Sequence, residues 1–216
     1  MTATLTLVAA LCAVVAAAGV AERCYTVKKG HHYATPKNHG FVDQAHRSVY
    51  VTFDNNTVAY ACDCTAEPYP SCMPSFNKLW GSSRCGYAHP HHQDSDRFVW
   101  RRYADKPDKV QIAAYSYDSG RCPYNPPDPN LEQPFDTALS VDTAYLLTMD
   151  LELNATHFTL HDEGGAALES KTVLHDNECA DYAKGYDLGL YFGGQCRAPS
   201  PVTVCYQDEA ATGVVR

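Results

Sequence analysis

Cysteine content constrains this chain more than any other feature. Ten cysteines fall within 216 residues, behind an uncharged stretch from Leu5 to Val20 that is rich in Ala, Val and Leu. The stretch is short for a membrane span and ends in Gly19, Val20 and Ala21 ahead of charged Glu22 and Arg23, the pattern of a signal-peptidase site. Cleavage after Ala21 is expected, which makes residues 1–21 a secretory leader and 22–216 the mature, extracellular chain. Loss of the leader removes Cys12 and leaves Cys24, Cys62, Cys64, Cys72, Cys85, Cys122, Cys179, Cys196 and Cys205. In an oxidising compartment nine thiols allow four disulfides, with one more that is buried, blocked or used to join two chains in a disulfide-linked dimer.

The formal charge of −8 argues against a nucleic-acid partner, because a net negative field slows such encounters. Arg97, Arg101, Arg102, Lys106 and Lys109 form a local basic exception. No second apolar stretch is long enough to span a bilayer, so no membrane partner is expected after cleavage. Two acceptor sequons, at Asn55 and Asn154, fall where turns are expected and fit a secreted glycoprotein. The mature length suits one domain, and no linker, repeat or low-complexity tract divides it.

The pattern along the chain is all-β. Ser48 to Phe53 alternates branched and aromatic residues with polar ones and stops at Asp54-Asn55-Asn56, and Thr156 to Leu160 does the same before Asp162-Glu163-Gly164-Gly165. Further runs lie at Phe98 to Tyr103, Val110 to Tyr117, Tyr145 to Leu153, Leu188 to Phe192 and Val202 to Tyr206. Many short strands in a chain of this size predict a two-sheet antiparallel β-sandwich of jelly-roll type. Pairing of the first and last strands would bring Cys24 to Cys205. Cys179 and Cys196 flank the run from Leu188 to Phe192 and are placed to clip its loops together. Cys62 and Cys64 are too close in sequence to bond without strain, so they are expected to choose different partners among Cys72, Cys85 and Cys122.

The segment Tyr186-Asp187-Leu188-Gly189-Leu190-Tyr191-Phe192-Gly193-Gly194-Gln195, then Ala198-Pro199 and Val202 to Tyr206, resembles the closing strands of secreted concanavalin-like jelly rolls that bind or cleave polysaccharides. The resemblance spans about 25 residues. It extends to alginate- and glucuronan-lyase-like enzymes, whose Gln-Ile-His and Lys-Ala-Gly-x-Tyr-x-Gln strands are similar to Gln111-Ile112 and Gly189-Leu190-Tyr191. Ala113 stands where that family has its catalytic histidine, and Asp187 and Gly193 stand where it has lysine and glutamine.

Alternation puts Leu188, Leu190 and Phe192 in the core and Asp187, Gly189, Tyr191 and Gly193 on the other face. Read the same way, neighbouring strands would gather Arg101, Tyr103, Gln111, Tyr115, Gly189 and Tyr191 into a platform where aromatics meet sugar faces and Arg and Gln meet hydroxyls or a carboxylate. The same residues also suit ordinary cross-strand aromatic pairs and solvated arginines, with Gly189 and Gly193 marking a bulge. A lyase on this face needs a group to neutralise a uronate carboxylate, a base and an acid. Arg101 and Gln111 fit the first role and Tyr191 the last, with a histidine supplied from a loop.

The densest histidine group, His89 to His92, matches no metal spacing and reads as a polar loop, so neither a metal nor another cofactor is expected. His157 and His161 read as solvated. Asp150 and Glu152 sit side by side on one strand and cannot flank a glycosidic bond. No nucleophile elbow is present, and the paired glycines are turn residues. The expected function is an extracellular polysaccharide-binding protein; the alternatives are a polysaccharide lyase acting by β-elimination on a uronate-containing glycan and a structural coat protein without ligand.

Overall fold

The computed structural model describes residues 21–35, 40–59, 76–103, 105–123, 127–193 and 197–208. The leader at 1–20 and Cys62, Cys64, Cys72 and Cys196 lie outside the described residues. Among those described, the strands are β1 (Arg23–Val27), β2 (Ala34–Thr35), β3 (Phe41–Asp43), β4 (His46–Phe53), β5 (Asn77–Ser83), β6 (Ser95–Arg102), β7 (Lys109–Tyr117), β8 (Glu132–Pro134), β9 (Leu139–Ser140), β10 (Ala144–Leu151), β11 (Ala155–His161), β12 (Ala167–Leu174), β13 (Lys184–Leu188) and β14 (Val202–Asp208). One turn of 3-10 helix, Asn55–Thr57, carries the exposed Asn55, and Asn154 is exposed in the turn between β10 and β11.

The strands form the expected two-sheet antiparallel sandwich. One sheet runs β12-β11-β10-β4-β14-β1-β2 and the other β3-β13-β5-β6-β7-β8, with β9 also pairing with β7. In the first sheet, β4 buries every second residue, so Val49, Val51 and Phe53 face inward. They meet Phe98, Trp100 and Ile112 of the second sheet across the core, where Phe53 and Trp100 pack at 6.1 Å between ring centroids and Phe98 meets Phe158 edge-on at 5.1 Å.

The middle of the second sheet is buried on both faces. Val99, Ala113, Tyr115 and Tyr117 point away from the main core and form a smaller cluster with Phe76. A double-sided sheet gives continuous burial along β6 and β7 rather than alternation. That hides β5 from a sequence reading, and β12 and the true position of β13 were missed as well. The run from Leu188 to Phe192 is not the strand: β13 ends at Leu188, and Tyr191 makes only isolated bridges to Tyr33 and Lys78.

The first and last strands pair in register, with Cys24 opposite Cys205, and the two are bonded. The second bridge corrects the sequence expectation: Cys179 is bonded to Cys85, not Cys196, which also removes Cys85 from the partners open to Cys62 and Cys64.

A buried ionic cluster joins the sheets at one end. The Arg84 guanidinium is fully buried, with Nε 2.8 Å from Asp96 and Nη2 3.6 and 3.7 Å from Asp94 and Asp118. Asp96, on β6, accepts the hydroxyls of Ser116 (2.5 Å) on β7 and Thr156 (2.8 Å) on β11, which ties one sheet to the other. Because the Thr156 proton is committed to Asp96, His175 Nε2 donates to the Thr156 oxygen at 3.0 Å. Burial and Arg84 push His175 below the usual histidine value against the pull of the three carboxylates. Burial alone would raise Asp118, but the Asp176 N–H, the Arg121 guanidinium and the Asn177 N–H hold it below the ordinary aspartate value.

Removing one partner of such a cluster strands the others without compensation. Arg84→Ala is expected to destabilise the fold by about 3–5 kcal/mol, the range for breaking a buried ion pair, read as a lowered urea midpoint. Arg84→Lys, which keeps a charge but not the fork, should lose less.

Candidate functional site

The outward face of the second sheet carries a cationic and phenolic group that the sequence reading found only in part. Lys78 is its centre. A register shift between Lys78 and Trp80 puts an extra residue into β5 opposite β6. Leu79 and Trp80 therefore both join the core, while Lys78, opposite Val99, points outward. The Leu79 carbonyl at the bulge accepts the Tyr206 hydroxyl from the other sheet at 3.0 Å.

Next along β5 is Gly81, where a Cβ would lie 2.2 Å from the Asp96 carbonyl and 2.4 Å from the Arg97 Cβ. Any side chain there would force β5 and β6 apart at the point where Arg97 is set.

Lys78 Nζ lies 3.5 Å from the centre of the Tyr115 ring. Burial holds this amine well below the usual lysine value, the nearby Arg97 guanidinium lowers it further, and Glu132 opposes both. Glu132, opposite Tyr115 on β8, is itself raised by burial, against the pull of Lys78 and Arg101. Arg97 donates to Ser95 Oγ at 3.1 Å, and its guanidinium carbon lies 6.0 Å from the Tyr117 ring centre. Tyr117 packs against His92 at 5.3 Å. Partial burial, Arg97 and Lys78 lower His92 from the ordinary histidine value, which favours its neutral form. Tyr115, Arg97 and Tyr117 are only 3%, 6% and 7% exposed, whereas Lys78 and Glu132 are half-buried and His92 is exposed. The floor of the site is thus dry, with a wet rim.

The sequence-expected residues fall around this centre. Arg101 and Gln111 are paired on β6 and β7, Arg101 Nε donating to Gln111 Oε1 at 2.9 Å. Gln111 also donates to the Phe135 carbonyl, and Arg101 lies 4.2 Å over the Phe76 ring. Tyr115 shares their face. Tyr103 stands beyond the end of β6, its hydroxyl donating to the Asp136 carbonyl at 3.4 Å and its ring under Lys106. Tyr191 is opposite Lys78, with β5 standing between it and the Arg101–Gln111 pair. It stacks on His32 at 5.1 Å and meets the exposed Tyr33 edge-on at 5.0 Å. Burial and Tyr33 raise its phenol.

The single alternating face from Asp187 to Gly193 is not formed. Asp187 turns between the sheets to the buried Arg47 of β4, whose guanidinium covers Trp80. Gly189 falls between the end of β13 and the Tyr191 bridge. The basic patch also divides: Lys109 pairs with Asp108 and donates to Ser140, at the opposite end of β7 from Tyr115 and Tyr117.

The histidine loop is anchored at three points: His89 to Asp94 at 2.7 Å, His91 to the Tyr186 hydroxyl at 3.1 Å, and His92 to Tyr117. Cys85, His89 and Asp94 cluster, but the Cys85 sulfur is committed to Cys179. Asp150 pairs with His46 and Glu152 with His157, so these carboxylates do not face each other.

Among solved structures, alginate lyase Aly36B superposes with a TM-score of 0.52 at 13% identity, over 86% of this chain and 78% of that one. This chain shares the jelly-roll fold of that structure. Other structures similar to this jelly roll are alginate lyase vAL-1 from Chlorella virus (11% identity, 86% and 81% covered, TM-score 0.47) and the carbohydrate-binding module CBM66 from Bacillus subtilis (10%, 86% and 92%, 0.34). No family model and no curated protein matches the chain.

The charge state of Lys78 is set by its burial and then by its charged neighbours. Arg97→Gln is expected to raise the Lys78 pKa and Glu132→Gln to lower it, measured by NMR titration of isotope-labelled lysine. Unmoved titrations in both variants would detach Lys78 from this electrostatic group.

Proposed function

We propose that this chain is a secreted polysaccharide lyase that cleaves a uronate-containing glycan by β-elimination on the outward face of the second sheet. The observation that carries the reading is the Lys78 amine, desolvated beside Arg97 and 3.5 Å over the Tyr115 ring. In a chain of net charge −8, Arg97 and Arg101 share one face beside Lys78, which suits a polyanion.

The chemistry divides among these residues. Arg97, oriented by Ser95, meets the uronate carboxylate and stabilises the negative charge that grows on it as the neighbouring carbon loses its proton. Neutral Lys78 takes that proton. The carbon–oxygen bond to the next sugar breaks as the carbon–carbon double bond forms, and the departing oxygen takes a proton from a phenol, Tyr115 or Tyr117. This base does not need the histidine that Ala113 replaces.

A second reading, binding without cleavage, is favoured by the burial of Arg97, Tyr115 and Tyr117 and by the 61% exposed Tyr33 beside Tyr191. Here the sugar would lie against the Tyr33–Tyr191 pair and no bond would break.

Incubation with alginate and polyglucuronate, followed by ultraviolet absorbance of unsaturated ends, separates the two. Cleavage is expected. Lys78→Ala and Lys78→Arg should each lower kcat by about 10²–10⁴-fold, the usual worth of a positioned base. Because the base acts in its neutral form, the rate should rise with pH through a limb lying below the ordinary lysine value of about 10.4, and this limb should vanish in both variants. Retention of polymer without unsaturated product, lost in Tyr191→Ala, would select the binding reading.

A further inference from the structure

The outward face of the second sheet does not end at the lysine. Directly opposed residues of antiparallel strands share a face, and one such row crosses five strands, from β7 to β3. Tyr117 on β7 opposes Ser95 on β6, and Ser95 opposes Ser83 on β5. Tyr186 follows next, its N–H donating to Ser83 Oγ at 3.0 Å one residue from the Asp187–Ser82 pair. Phe41 on the edge strand β3 opposes Tyr186. At about 4.8 Å per strand, Phe41 lies roughly 19 Å from Tyr117 along this row.

The residues along the row differ in kind. Between its ends Ser83 and Ser95 are buried, and the polar surface is made by Tyr186, His91 and His92, with His91 held at 3.1 Å by the Tyr186 hydroxyl and His92 packed on Tyr117. At the far end the surface becomes aromatic. Phe41 is 78% exposed and Tyr87 43%, and the two rings meet edge-on at 5.0 Å. A large apolar ring so exposed on an edge strand buries little area in the monomer and invites association.

We infer that Phe41 and Tyr87 form a distal sugar-binding subsite, where the apolar face of a ring stacks several units along the same glycan whose scissile bond lies at Lys78. This rests on the glycan reading above. The favoured occupant is that glycan because the row from the aromatic pair leads to Tyr117, a proton donor in the proposed reaction, and the His91 and His92 imidazoles along it suit sugar hydroxyls rather than an apolar protein surface. The subsite makes the protein length-selective: a long chain reaches both ends of the row, and a short one reaches only the centre.

The test uses a Phe41→Ala/Tyr87→Ala double variant and Phe41→Trp, each with alginate, polyglucuronate and their short oligomers, read by ultraviolet product formation and by retardation in polymer-containing gels. The double variant is expected to lower the polymer-to-oligomer ratio of kcat/KM, or the gel retardation, about five- to tenfold, in line with the loss of one or two ring contacts. Phe41→Trp should keep or raise it. An unchanged ratio and unchanged retardation would overturn the subsite and leave the lyase reading standing. Sedimentation showing that the wild type self-associates and the double variant does not, with the ratio unmoved, would assign the pair to a second copy instead. A wild type that is retarded but makes no product would sink the lyase reading while the retardation still tests the subsite. A wild type that does neither would sink both.

Discussion

One extra residue in β5 governs the face on which this protein is proposed to work. Without the bulge, strict alternation from Lys78 to Trp80 would put both on the same side, so the indole could not be in the core while the amine pointed outward. With it, Leu79 and Trp80 both face inward, and Lys78 lies over Tyr115. The distortion is held from two directions. Tyr206 reaches from the other sheet to satisfy the bulge carbonyl, and Gly81 lets β6 close up immediately afterwards. Burial and Tyr25 raise the Tyr206 phenol, so it remains a donor.

The ionic cluster complements this bulge. A sandwich with the middle of one sheet buried on both faces has an excess of strand to cover, and the Arg84 group spends three carboxylates and a histidine at one end of it. Apolar side chains would fill the same volume with less desolvation cost. What the ions add is geometry. Asp96 fixes β6 against β7 and β11 at once, one residue from Arg97, so the core side of β6 is clamped where its outward side carries the guanidinium.

Much of the architecture was legible in the sequence. β4, β10, β11 and β14 each border solvent on one side, so their alternation survives in the residue pattern, and pairing of the first and last strands placed Cys24 opposite Cys205 correctly. That Tyr115, Arg101 and Gln111 share one face was also legible, because β6 and β7 retain enough branched and aromatic residues to be read as strands. Lys78 was not. Its strand reads Asn-Lys-Leu-Trp-Gly-Ser-Ser, with the period broken by the bulge and a glycine in the middle. Asp187 misled for a related reason: the partner that draws it inward, Arg47, stands 140 residues away on the other sheet. The pairing of Cys179 with Cys85 is equally non-local and left no mark in spacing.

The bond between Cys24 and Cys205 spans 181 residues, from the first strand of the sandwich to the last. It turns the domain from a line into a covalent ring. A protease that cuts one loop inside that ring opens it without releasing a fragment, and both sides of the cut remain anchored in the same sheet through β1 and β14. For a protein proposed to work outside the cell, where proteases act, a single nick becomes a local event, and two are needed before any strand can leave.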